Sequence, residues 1–181
     1  MEQTITNYKL KDFLHQSNEL REEYTNLLRY SKPKETKNEL YKMKLRDVDF
    51  IKTTFSNGTD ENIIKIVSLV QGISEKVVLN MKITEFFSLV ICIGEQIERI
   101  IRNEQKVLTS KNPNFKWEAV QGSEKMAKFG IYNTLENLSG GDITKYEYIM
   151  DMSYDEVFTI LYMKRLKEDL IEEMNKTIIQ K

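Results

Sequence analysis

The strongest pattern in the sequence is a set of apolar residues between Thr84 and Leu108 that recur every three to four positions. This spacing places them on one face of an α-helix, with charged and amide side chains on the other face. Many of them are β-branched, so such a helix depends on tertiary burial more than on intrinsic propensity. The pattern therefore predicts a long helix at the centre of the domain. Its apolar positions are Phe86, Phe87, Val90, Ile93, Gly94, Ile97, Ile100, Ile101, Val107 and Leu108.

The last third of the chain carries several helix boundaries. The pair Gly140–Gly141 predicts a helix end, because glycine adopts the left-handed conformation that closes helices. Asp142 predicts the start of the next helix. Ser153 and Glu156 have the spacing of a capping box, in which each side chain satisfies the other residue's backbone N–H. A long C-terminal helix over 154–179 follows.

Only 7 glycines and 2 prolines occur among the 181 residues, too few for a sandwich of tight β-turns. We therefore expect an all-α fold, a single helical domain of about six or seven helices with long helices at 84–108 and 154–179. The predicted division is an N-terminal helical segment at 1–30, a polar and basic linker at 31–46, and a helical core domain at 47–181. The linker carries strand-like alternation over 41–46, which predicts a short extended piece before a helix from about Asp47.

The sequence also predicts interruptions of helical structure in two further segments. The first helix has loosened periodicity at 16–18, which predicts a possible break. Residues 109–122 contain proline and many polar side chains, and we expect them to be irregular. Ser123 then caps a helix whose apolar positions are Met126, Phe129, Tyr132, Leu135 and Leu138.

The sequence contains no arrangement of residues typical of an enzyme. His15 has no carboxylate or cysteine at ligand or triad spacing, so a surface or packing role is expected. Cys92 is the single cysteine, which excludes an intrachain disulfide and a cysteine-based zinc site, and its apolar neighbours predict burial. We therefore expect no catalytic residue, cofactor or metal site.

Charge argues against a nucleic-acid partner, because the formal net charge is -1 and phosphate binding needs a basic excess. One basic cluster exists, but glutamates interrupt it and few aromatics accompany it. The N-terminus lacks a signal sequence and no apolar run could span a bilayer, so an intracellular protein without a membrane partner is expected. The cluster consists of Lys32, Lys34, Lys37, Lys42, Lys44 and Arg46.

Two features favour protein–protein contacts. Phe115 and Trp117 lie in the polar loop, where displayed aromatics are typical interface anchors. The equally weighted alternative is that Trp117 fills the domain core. The C-terminal helix keeps apolar residues almost to its end, so it docks on its own domain or on a neighbour. Its candidate interface residues are Ile171, Met174 and Ile178.

Four stretches of the C-terminal half carry a family resemblance by pattern and spacing: Lys116-Trp117, 126–130, 135–145 and 154–157. They resemble small helical morphogenesis proteins of tailed bacteriophages. The resemblance implies a virion location in the tail or at the head–tail connection, after synthesis in the host cytoplasm. It implies a tail-ring or head–tail connector subunit whose partners are copies of itself and other phage structural proteins.

Two alternatives stay open beside that structural role. One is a tail-assembly chaperone that is absent from the mature virion. The other is a small cytoplasmic helical adaptor or regulator without a phage connection.

Overall fold

A computed structural model describes residues 8–110 and 114–179, with side chains described as far as residue 176. Within these residues the secondary structure is helical apart from two isolated β-bridges, so the predicted all-α class is confirmed. The α-helices are α1 (Leu10–Leu14), α2 (Asn18–Leu28), α3 (Leu45–Thr54), α4 (Asp60–Gln71), α5 (Glu75–Leu79), α6 (Ile83–Leu108), α7 (Phe115–Ala119), α8 (Gly122–Ala127), α9 (Ile131–Ser139), α10 (Tyr146–Asp151) and α11 (Tyr154–Ile179).

The described residues form eleven α-helices, so the predicted six or seven was too low. Two helices that were not predicted, α5 and α7, are five residues long, less than two turns, and too short to show a periodic pattern. The other two additional helices arise because the first predicted helix and the helix predicted from Ser123 are each divided in two. The two long helices, α6 and α11, are confirmed.

The chain forms two compact units. Unit one comprises Met1–Met43 and Phe50–Arg99, and unit two comprises Lys44–Asp49 and Ile100–Lys181. Helices α3 and α6 each contribute residues to both units. The predicted division of the chain into three segments, with boundaries at residues 30 and 46, is based on composition and stays a prediction.

Unit one packs α1, α2, α4, α5 and the first part of α6 around a continuous apolar core. The expected break in the first helix is confirmed, because α1 ends at Leu14 and α2 begins at Asn18. Its fully or almost fully buried side chains are Leu10, Phe13, Leu28, Leu40, Met43, Ile51, Ile64, Ile66, Val67, Val70, Val78, Ile83, Phe86, Leu89, Ile93 and Ile97.

Residues 31–39 lie along this core without forming a helix. Gln96 of α6 is buried and fixes the segment: its Oε1 accepts a hydrogen bond from the Leu40 N–H at 2.9 Å, and its Nε2 donates to Thr36 Oγ1 at 2.9 Å. The predicted extended piece at 41–46 was wrong in most of its length, since Leu40–Lys42 is a 3₁₀ turn and α3 begins at Leu45.

Unit two contains a smaller core, formed by Leu45, Val48, Ile100, Leu135, Ile149, Tyr154 and Val157. The Leu45 N–H donates to the Met152 carbonyl oxygen at 2.8 Å, and this contact, distant in sequence, accompanies the early start of α3.

The helix boundaries predicted at Gly140–Gly141, Asp142 and Ser153 in unit two are confirmed. Gly140 has a φ of 65° and closes α9, and Asp142 Oδ1 accepts a hydrogen bond from the Thr144 N–H at 3.0 Å. In the capping box, the Ser153 N–H donates to Glu156 Oε2 at 3.1 Å and the Glu156 N–H donates to Ser153 Oγ at 3.3 Å.

Candidate interface surfaces of unit two

Exposed apolar side chains concentrate in unit two. The described residues contain nineteen exposed large apolar side chains, and sixteen of them belong to this unit. Single exposed apolar residues are normal on protein surfaces, but a concentration of this kind is typical of a binding surface. The sixteen are Ile101, Phe115, Trp117, Val120, Met126, Phe129, Tyr132, Ile143, Tyr148, Ile160, Tyr162, Met163, Leu166, Leu170, Ile171 and Met174.

The first surface is a pair of short helices, α7 and α8, which we call the α7–α8 hairpin (residues 114–127). The expectation of an irregular loop up to residue 122 was wrong here, because Asn114 caps a helix. Its Oδ1 accepts hydrogen bonds from the backbone N–H groups of Lys116 and Trp117 at 3.1 and 3.2 Å. Gln121 then takes the left-handed conformation, with a φ of 56°, and reverses the chain into α8.

Trp117 packs on its own hairpin. A Cβ atom added to Gly122 would overlap the indole ring, so the ring lies directly over the glycine backbone. Gly122 is buried, whereas 45% of Trp117 stays exposed. The indole therefore fixes the hairpin and also contributes to its outer surface.

Local hydrogen bonds hold the rest of the hairpin. Ser123 Oγ donates to Glu118 Oε1 at 2.5 Å, and Lys125 Nζ donates to the Val120 carbonyl oxygen at 2.7 Å. Every residue from 114 to 130 except Gly122 is exposed. The hairpin is thus an ordered element that buries almost nothing and displays Phe115, which is 80% exposed.

The helix predicted to run from Ser123 to Leu138 was wrong as one element. Gly130, with a φ of 50°, separates α8 from α9. Of the apolar positions in that predicted helix, Leu135 is buried, while Met126, Phe129 and Tyr132 are exposed. Gly130 was the signal in the sequence that could have indicated this division.

The second surface is the outer face of α11. Met163, Leu166, Leu170 and Met174 are three or four residues apart, and we call them the α11 stripe. Each is between 45% and 63% exposed. Among the predicted interface residues, Ile171 is 57% exposed and Met174 is 63% exposed, while the side chain of Ile178 lies outside the described residues.

Polar contacts hold another face of α11. Lys164 Nζ donates to the Asn137 carbonyl oxygen at 2.5 Å. Arg165 pairs with Asp169 and with Glu168, and the hydrogen bond with Asp169 raises the pKa of the Arg165 guanidinium. Only 16% of the Arg165 side chain and 13% of the Asp169 side chain are exposed.

Most of the basic cluster is engaged in ion pairs. In unit one, Lys34 pairs with Glu85 at 2.5 Å and Lys42 pairs with Glu39 at 3.0 Å. These carboxylates neutralise the ammonium groups that a phosphate backbone would need.

In unit two, Arg46 pairs with Glu147 at 2.9 Å, and Lys44 pairs with Asp151 at 2.8 Å. Hydrogen bonding from Lys44 lowers the pKa of the Asp151 carboxyl group.

His15 and Cys92 are the two residues that were considered for catalysis or metal binding. His15 is exposed, with Nδ1 at 2.6 Å from the Lys11 carbonyl oxygen. Cys92 is half-buried rather than fully buried, and its Sγ accepts a hydrogen bond from Gln96 Nε2 at 3.6 Å.

No group of three or more histidine, cysteine or acidic side chains suited to a metal ion occurs among the described residues. In the same part of the chain, no helix has the length and hydropathy needed to cross a membrane. The chain matches no protein-family model, no curated protein and no solved structure.

Proposed function

We propose that this chain is a non-enzymatic virion assembly protein of a tailed bacteriophage, a tail-ring or head–tail connector subunit that acts through helical interfaces. The observation that supports an assembly role is the concentration of exposed apolar side chains on the α7–α8 hairpin and on the α11 stripe. The specific phage role comes from the resemblance in the C-terminal half.

A ring subunit must contact two neighbours through different surfaces, because cyclic assembly is heterologous. Unit two offers two separate apolar surfaces, one on a preorganised hairpin and one on a long helix. An ordered hairpin loses little conformational entropy when it docks, which favours stable over transient contacts.

Mass spectrometry of purified particles of the source phage tests this proposal. A structural subunit is present in many copies per particle. A tail-assembly chaperone would be found in infected cells and be absent from mature particles, and that result would contradict the ring or connector role. Absence from both particles and assembly intermediates would favour the adaptor.

A further inference from the structure

Asn57 is the only asparagine in the sequence that is followed by glycine. It ends the 3₁₀ turn Phe55–Asn57, which lies between α3 and α4, and its side chain is exposed. An asparagine can lose ammonia through its own backbone, because the nitrogen of the next residue can close a five-membered ring on the side-chain carbonyl carbon. Glycine favours this attack, since it has no side chain that hinders the approach. The pair is therefore a candidate site of covalent modification.

The hydrogen bonding of this turn leaves both reacting groups unrestrained. Within the part of the chain that the structure describes, the Gly58 N–H makes no hydrogen bond of normal geometry, and the Asn57 side-chain amide has no partner. Asn80 provides a contrast, because its Nδ2 donates to the Lys76 carbonyl oxygen at 2.8 Å. The amide of Asn57 can therefore rotate towards the following nitrogen without breaking a hydrogen bond.

Packing requires a glycine at position 58. A Cβ atom there would lie 2.8 Å from the Thr54 carbonyl oxygen and 3.2 Å from Ile63 Cδ1. A backbone oxygen cannot move aside as the end of a flexible side chain can, so a larger residue would strain the turn. The requirement is steric and not conformational, because Gly58 has a φ of -73° that other residues also adopt. The fold thus retains the residue that makes Asn57 reactive.

We propose that Asn57 deamidates spontaneously and that the isoaspartyl product loosens the start of α4. The Gly58 nitrogen loses its proton to solvent base and forms a bond with Asn57 Cγ. The bond from Cγ to Nδ2 breaks, and Nδ2 takes up a proton and leaves as ammonia. Water then opens the cyclic imide at either of its carbonyl groups, which gives aspartate or isoaspartate without any oxidation or reduction. This inference is independent of the proposed assembly function.

Isoaspartate would alter the entry into α4 through the main chain. The backbone then runs through the former side chain of Asn57, so the path to Gly58 is one carbon longer. Gly58 is already in close contact with its neighbours, and the additional length must displace it. The next residue, Thr59, caps α4 because its Oγ1 accepts a hydrogen bond from the Asn62 N–H at 3.4 Å. Displacement of Gly58 should therefore weaken this cap.

Peptide mapping by mass spectrometry tests the modification in purified full-length protein that is incubated in its folded state at mildly alkaline and at mildly acidic pH. Residue 57 should gain about 1 Da, the difference between NH₂ and OH, and should do so faster at alkaline pH. Cleavage after Lys52 and Lys65 yields one peptide that also contains Asn62, an internal control that isoleucine follows. Electron-transfer fragmentation distinguishes isoaspartate from aspartate, and both should form.

Two variants of residue 57 are matched controls. Asn57→Gln should lose ammonia at least about tenfold more slowly, because its longer side chain must close a six-membered ring. Asn57→Asp carries the new charge without the additional backbone carbon. Hydrogen exchange in the first turn of α4 should accelerate in the incubated wild type. It should stay unchanged in incubated Asn57→Gln and in freshly purified Asn57→Asp.

An Asn57 side chain that stays unmodified, or that reacts no faster than Asn62, overturns the proposed site. So does aspartate as the sole product, because direct hydrolysis without a cyclic imide would explain it. If the incubated protein contains isoaspartate but α4 exchanges as in fresh protein, the proposed loosening of α4 is overturned. The count of copies in purified particles tests the proposed function separately from all of these results.

Discussion

Unit one and unit two place their apolar side chains in opposite ways. Unit one contains sixteen of the buried apolar residues and three of the exposed large ones, whereas unit two contains seven and sixteen. Burial of apolar surface supplies most of the free energy of folding. Unit one therefore has the core of a self-sufficient domain, and unit two leaves apolar surface that a partner can cover.

The α7–α8 hairpin shows how unit two remains ordered in spite of this. Its order comes from the Asn114 cap, from the indole of Trp117 on Gly122, and from short side-chain hydrogen bonds. Such local contacts are individually modest, so we expect the hairpin to open more easily than the core of unit one.

The largest expected difference between the units concerns truncation of apolar side chains. Ile93→Ala removes a side chain with no solvent exposure in unit one and should lower the free energy of unfolding by about 2–5 kcal/mol. Leu170→Ala truncates a side chain that is 49% exposed in unit two. This change should alter the free energy of unfolding by less than about 0.5 kcal/mol. Urea unfolding followed by circular dichroism measures both. Equal losses would show that α11 is packed as tightly as α6.

Gly122→Ala should disturb the hairpin by about 1–3 kcal/mol, because the new methyl group overlaps the Trp117 ring. Trp117 is the single tryptophan, so its fluorescence should shift to the red while urea unfolding of unit one is unchanged. Gln121→Gly is the control: it removes the left-handed non-glycine residue and should leave the emission where it is. An unshifted spectrum in Gly122→Ala would refute the packing of the indole on α8.

Two caps allow a matched comparison of the units. Ser153→Ala removes the cap of α11, and Thr59→Ala removes the cap of α4, each at a cost of about 1 kcal/mol. Hydrogen exchange should show fraying that spreads further along α11 than along α4. Buried apolar side chains of α4 continue to Val70 near its end, whereas in the described part of α11 they are confined to Tyr154 and Val157 at its start. If fraying spread equally far along α4 and α11, the inferred difference in packing between these two helices would be wrong.

The smallest effect concerns pH. In unit two, hydrogen bonding lowers the pKa of Asp142 through Thr144, of Asp151 through Lys44, and of Glu156 through Ser153. A lowered pKa in the folded state stabilises the fold above the ordinary values of 3.8 for aspartate and 4.5 for glutamate.

That stabilisation is lost as the pH falls through the lowered values. Hydrogen exchange in α10 and α11 should therefore accelerate from pH 5 towards pH 3, relative to its intrinsic pH dependence. Asp47 has a small effect of opposite sign on the stability of the fold at acid pH, because burial raises the pKa of its carboxyl group. Lys44→Met should reduce the acid sensitivity of α10, and an unchanged profile would show that the pair with Asp151 contributes nothing.

The sequence predicted those elements whose signals are local and repeated. Helices α6 and α11 extend over many turns, so their periodicity could be recognised, and Gly140 and Ser153 marked boundaries through backbone chemistry that needs no tertiary partner. Helix α7 has too few turns for a pattern, and α8 was merged with α9 in one predicted helix that Gly130 divides. The early start of α3 accompanies a hydrogen bond from Leu45 to the distant Met152.

The candidate site was predicted only in part. Phe115, Ile171 and Met174 were singled out and are exposed, but the position of Trp117 depends on its contact with Gly122, which sequence spacing does not encode. Met126 and Phe129 were predicted as apolar positions of one helix, and both are exposed. Apolar periodicity shows that a face exists, but it does not show whether the face is covered by the same chain or by another.

Hydroxyl-radical footprinting of methionines tests most directly the claim that the apolar surface of unit two is an assembly interface, because exposed thioethers oxidise readily. Met126, Met163 and Met174 should oxidise in the dilute protein and be protected in the assembled fraction. Met43 of unit one, which is 9% exposed, should resist oxidation in both and serves as the internal control. Equal oxidation of the three unit-two methionines in dilute and assembled protein would show that these side chains do not lie in an assembly interface.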